Sequence, residues 1–135
     1  MSYKIDEIEG IGPAYREKLT GAGIGDTDDL LEKCCSPQGR KQIADSTGVS
    51  EKLLLGWTNM ADLMRVSGIG RQYAELLEAA GVDTIKELRN RNAENLAAKM
   101  DEVNTAKNVA NATPSQSMVE DWIAQAKQTE PKITY

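Results

Sequence analysis

Ile8-Glu9-Gly10-Ile11-Gly12 and Val66-Ser67-Gly68-Ile69-Gly70 are two forms of one phrase, and the residues after each are shared as well. Tyr15 and Tyr73, Glu17 and Glu75, Leu19 and Leu77, and the pairs Ala22-Gly23 and Ala80-Gly81 recur at an offset of 58. Over the 17 positions from Ile8 to Ile24, eight match the residue 58 places further on. A glycine–apolar–glycine step turns a chain sharply between two helices, because glycine accepts backbone conformations closed to other residues. The sequence therefore reads as a duplicated helical unit.

The duplication extends beyond the phrase. The first copy continues through Asp26-Thr27-Asp28-Asp29-Leu30-Leu31, with acidic residues where a first helical turn favours them. The second continues through Asp83-Thr84-Ile85-Lys86-Glu87-Leu88, where Thr84 and Glu87 have the spacing of a capping box. Ser36-Pro37 and Asn92-Ala93 then pair an N-cap with a helix start, with proline at the first helical position in the first copy. Each copy ends in an amphipathic stretch: Leu53, Leu54, Trp57 and Ala61 after Ser50, and Met118, Val119, Trp122 and Ala126 after Thr113-Pro114. Both fit a stripe of helical period. The two tryptophans are expected in the core, and the helix over about 51–66 is expected to open the second turn as well. Residues 104–113 read as a loop and 128–135 as a frayed tail. No stretch alternates as a strand does.

Each Gly-Ile-Gly step leaves bare amides at the start of the next helix, at Pro13 or Arg71. Amides at a helix N-terminus make a natural site for an anion. Ile11 and Ile69 are expected to point back between the helices and fix the turn. On a nucleic acid the anion would be a backbone phosphate, held without reading sequence.

Gly68, Ile69, Gly70, Ala74 and Leu77 resemble the helix-hairpin-helix motif of DNA repair and recombination proteins. The first copy matches through Gly10, Ile11, Gly12 and Leu19 but carries Arg16 where that motif has a small residue. Over nearly its whole length the doubled unit looks like a bacterial family of unknown function built on tandem helix-hairpin-helix repeats. The resemblance implies an all-α fold of two five-helix repeats related by pseudo-symmetry and sharing a core. The expected bounds are residues 1–65 and 66–130, with 131–135 as a tail.

Charge separates the two turns. Asp6, Glu7 and Glu9 surround the first, with Lys4, Arg16 and Lys18 as the nearest cations. Around the second stand Arg65 and Arg71, with no carboxylate between Asp62 and Glu75. Arg71 falls in a first helical turn, where a cation costs up to about 1 kcal/mol unless an anion offsets it. The expected nucleic-acid contacts are therefore Gly68, Ile69, Gly70, Arg71 and Arg65, followed by Gly10 and Gly12. Lys86, Arg89 and Arg91 would extend the patch.

Composition pulls the other way. The net charge of the 135 residues is −5, whereas proteins that grip nucleic acid are usually basic. A protein partner, or a second copy of the chain, is the alternative to DNA. There is no histidine, and the only cysteines, Cys34 and Cys35, are adjacent. These exclude a zinc site of ordinary composition and make a structural disulfide a poor fit. No carboxylate spacing singles out a catalytic residue, and Gly21-Ala22-Gly23-Ile24-Gly25 lacks the preceding strand of a dinucleotide loop. The expectation is a non-enzymatic protein without cofactor, metal or small-molecule substrate. With no apolar run near the ~20 residues of a membrane span and no signal segment, a cytoplasmic location is expected.

Overall fold

The computed structural model describes residues 2–135. Among them are eight α-helices, one 3-10 turn and no strand, apart from an isolated antiparallel bridge between Lys4 and Asp26. The chain divides into two compact units: one runs to Asp62 and takes in Lys132–Tyr135, and the other is Leu63–Pro131.

In the first unit, the 3-10 turn Ile5–Glu7 precedes α1 (Pro13–Gly21), α2 (Thr27–Cys34), α3 (Pro37–Thr47) and α4 (Glu51–Leu63), whose last residue falls to the other unit. Local chemistry sets the helix starts. Asp26 accepts from the Asp29 amide at 2.8 Å, Ser36 from Gly39 at 3.1 Å and Ser50 from Leu53 at 3.1 Å. The N-terminal segment hooks onto α2, with the Thr27 amide donating to Tyr3 O and the Tyr3 amide to Thr27 Oγ1. Ile5, Ile8, Ile11, Leu19, Ile24, Leu30, Leu54 and Trp57 are buried. Each side chain of this size contributes roughly 1.5–3 kcal/mol when fully buried. Helix α2 packs on α3, and Gly39 is what allows their close corner, since a Cβ there would collide with the Lys33 carbonyl oxygen.

The tail is tied down rather than frayed. The Thr134 amide donates to Cys35 O at 2.7 Å. Arg40, 5% exposed, donates from one guanidinium nitrogen to Cys34 O at 2.9 Å and from the other to Thr134 O at 2.8 Å. A guanidinium can hold two carbonyls at once because its donors diverge in a fixed plane. The last carbonyls of α2 also carry the negative end of that helix.

The second unit holds α5 (Arg71–Ala79), α6 (Ile85–Leu88), α7 (Ala93–Lys107) and α8 (Gln116–Gln128). Thr84 caps α6 by accepting from Glu87 N, Asn92 caps α7 from Asn95 N, and Ser115 caps α8 from Met118 N. Helix α7 packs on α5 and α8, and α6 on α8. Ile69, Ala74, Leu76, Leu77, Val82, Ile85, Leu88, Leu96, Met100, Val119, Trp122 and Ala126 are buried in it.

Other expected boundaries move as well. Helix α4 stops at Leu63, so the segment expected to continue it is a turn, and the second unit has four helices. Helix α7 runs on to Lys107, through residues expected to be loop. Asn104 in its last turn fastens the following loop, exchanging two hydrogen bonds with Ala110. The cap of α8 is Ser115, not Thr113.

Candidate functional site

In the first unit, Ile8 N donates to Ile5 O and Ile11 N to Ile8 O at 3.2 Å, two successive tight turns. The third residue of the second turn is Gly10, with φ +97°. Turns of that kind need a positive φ there, which glycine supplies without steric cost. In the second unit, Val66 N donates to Leu63 O and Ile69 N to Val66 O at 3.1 Å, with Gly68 also at φ +97°. Ile11 and Ile69 are buried, at 3% and 0% exposure, so only their backbones are available to a ligand.

Gly12 then stands as N-cap of α1, and Gly70 as N-cap of α5. Neither helix has a side-chain cap. Every other α-helix does: Asp26, Ser36, Ser50, Thr84, Asn92 and Ser115 each fill that place. The first amides of a helix have no partner within it. Pro13 lacks an amide, so α1 presents one fewer than α5, whose first residue is Arg71. Beside each turn a tyrosine at the third helical position leans on the unit's tryptophan. Ring centroids are 5.0 Å apart for Tyr15–Trp57 and 5.2 Å for Tyr73–Trp122.

The two turns differ in their charges and supports. At the first, Arg16 donates to Asp6 Oδ2 at 3.3 Å, so this cation is engaged by a carboxylate. Glu7 accepts from the Lys4 amide. At the second, Arg71 is exposed on the first position of α5. Arg65 is half-buried and donates to Glu130 O at 3.0 Å, a tie within the unit. Arg89 holds Ala126 O and Thr129 O at the end of α8, and Arg91 holds Gly81 O. Each of these guanidinium groups is thus tied through one nitrogen to backbone carbonyls, and Arg91 also pairs with Glu87 Oε2 at 3.7 Å. Lys86 stays exposed.

Gln125 is inconspicuous in the sequence, yet it holds the second turn in place. Its Oε1 accepts from the Ser67 amide at 2.9 Å, its Nε2 donates to Ser67 O at 3.1 Å, and Asp121 Oδ2 accepts from the same nitrogen at 2.9 Å. The turn is thereby clamped from α8. The signal for it is a spacing: three residues after Trp57 stands Met60, and three after Trp122 stands Gln125. Only the second of these positions has an amide side chain.

Among the described residues no group of three or more acidic or cysteine side chains is placed to hold a metal ion. No helix is long and apolar enough to cross a membrane. The fold and turns define an all-helical protein with two Gly-Ile-Gly steps, each opening a helix without a side-chain cap. The chain belongs to the family described as "Domain of unknown function (DUF4332)", whose match spans residues 9–129. No curated protein and no solved structure matches it significantly.

Proposed function

We propose that each unit is built on a helix-hairpin-helix, the two being copies of one repeat, and that the turn at residues 67–71 grips backbone phosphates of duplex DNA. The protein is a binding module rather than an enzyme. The observation that carries this reading is the selective absence of a side-chain cap on α1 and α5 alone among the α-helices. A capping side chain would occupy the amides that an anion needs. The second turn leads because Arg71 adds a cation at its mouth and Gln125 fixes its geometry. The first turn contributes less, since its surround is acidic and Pro13 withholds one amide.

A net charge of −5 opposes DNA at long range. At 0.1 M salt charges more than about 10 Å apart are largely screened, which leaves the local field around Arg71 to decide. With two to four phosphates engaged, the log–log salt slope should be roughly −2 to −4.

Fluorescence anisotropy of a labelled duplex at 50 mM salt tests the reading. Arg71→Glu should abolish binding. Gly70→Ala should weaken it strongly while leaving the fold intact, because a Cβ at Gly70 meets nothing within 4 Å and stands only in a ligand's way. Unchanged affinity in both variants, or no binding by the parent, defeats it. The acidic charge and the exposed Leu53 and Met118 support a second reading, a protein-interaction or self-assembly module. Within it, light scattering over a concentration series separates self-association from binding of a different protein.

A further inference from the structure

Both tryptophans have a polar edge that the fold does not use. Trp122 is 2% exposed, yet its indole nitrogen has no hydrogen-bond acceptor among the described residues. Buried indole N–H groups ordinarily find a partner. Among the described residues the polar side-chain atoms sealed from solvent without one are Asn59 Oδ1 and Arg89 Nε, and the indole nitrogen is not one of them. The ring is therefore enclosed while its nitrogen reaches solvent.

Where it does so is set by Gly68. A Cβ placed on that exposed glycine would lie 3.0 Å from Trp122 Nε1. The missing side chain leaves a notch bordered by the indole nitrogen, two residues before Gly70, the N-cap of α5. In the first unit, Trp57 Nε1 lies 3.3 Å from the corresponding position on Gly10.

We propose that Trp122 donates its indole N–H to an oxygen of the same phosphodiester whose other oxygen rests on the amides opening α5. This rests on the phosphate reading above and adds a named side-chain donor to it. An indole N–H donates and cannot accept, so the notch suits an oxyanion and not a cation. A phosphodiester offers two non-bridging oxygens at different angles, which one carbonyl does not. Glycine at position 68 then has two reasons: its positive φ, and the exposure of the indole nitrogen.

The experiment tracks the two indole N–H resonances of 15N-labelled protein, assigned with Trp57→Phe. A 12-base-pair duplex, inorganic phosphate and acetate are titrated separately at constant ionic strength. The Trp122 resonance should move downfield saturably with duplex, in step with anisotropy, and more weakly with phosphate. Trp122→Phe, which keeps a ring and loses the donor, should weaken duplex binding about tenfold. Duplex binding that leaves the Trp122 resonance in place overturns the donor while sparing the phosphate reading. Absence of duplex binding overturns both. A response to acetate alone reassigns the notch to carboxylates and overturns the phosphodiester.

Discussion

Trp122 Nε1 lies 3.0 Å from where a Cβ on Gly68 would stand, and Gly68 holds φ +97°. Gly68→Ala therefore meets strain and overpacking together, and should cost about 2–4 kcal/mol. Gly70→Ala meets neither, since its φ is −99° and its Cβ site is open; it should cost no more than about 1 kcal/mol. Urea melts of the two variants side by side check the contrast. Equal costs would mean that neither the positive φ nor the tryptophan resists a side chain at position 68.

Removing the clamp should loosen one turn and leave the other alone. Gln125→Ala deletes both hydrogen bonds to Ser67, an exposed pair of contacts worth about 1 kcal/mol in sum. Hydrogen exchange should quicken at the Ser67 and Ile69 amides and stay unchanged at Ile11. Unchanged exchange at Ser67 would show the clamp to be idle.

Arg40→Met keeps an apolar stem and removes the donors that hold Cys34 O and Thr134 O. Losing a buried cation relieves some desolvation, but the Cys34 carbonyl is left unsatisfied. The net cost should be about 1–3 kcal/mol. The Thr134 amide, bonded to Cys35 O, should exchange faster, and an unchanged rate would mean that the tail holds without Arg40.

Burial pushes the Cys34 thiol up to about 11, against the pull of Arg40 and a hydrogen bond with Thr58. At pH 8 only about a thousandth of it is thiolate. Native protein should take up one equivalent of iodoacetamide, at half-exposed Cys35, and a second only on unfolding. Because the folded value exceeds the unfolded one, stability present below pH 9 should fall as pH rises toward 11. Mass spectrometry of alkylated peptides reads the first expectation. Alkaline urea melts read the second.

Glu78 is exposed as a residue, but partial shielding of its carboxyl, then the negative charges of Asp83 and Glu75, raise its pKa. A carboxyl raised by folding stabilises most when protonated, and that gain is lost as pH rises through the folded value. Glu78→Gln should therefore be more stable than the parent at pH 7 and lose that advantage in acid. Chemical denaturation at pH 7 and pH 4 compares them, and an advantage that does not shrink points to another cause.

What the sequence discloses is governed by how local the signal is. The starts of α3 and α7 are legible because Ser36 and Asn92 act within three residues of themselves. The start of α8 lies two residues beyond its sequence signal: Thr113-Pro114 has the form of a cap and first residue, yet Ser115 makes the bond. Asn104 has the character of a loop former, but inside a helix its amide can fasten the loop that comes next. Arg40, Arg65, Arg89 and Arg91 are opaque for a different reason. Each ends on a backbone carbonyl, a partner that has no residue signature. By sequence, Arg65, Arg89 and Arg91 are expected in a surface patch, and the carbonyls they meet cannot be read there. The Gly-Ile-Gly steps are legible as turns, while the tryptophan edge beneath them depends on contacts 47 and 54 residues away, the differences between 57 and 10 and between 122 and 68.

Each compact unit contains one tryptophan, set against its own glycine turn. The molecule thus has a separate optical reporter for each half. With Trp57 replaced by Phe, emission follows the second unit alone, and with Trp122 replaced it follows the first. Superimposed melting curves would show one cooperative block. Curves that part would reveal a chain able to open one half while the other stays shut.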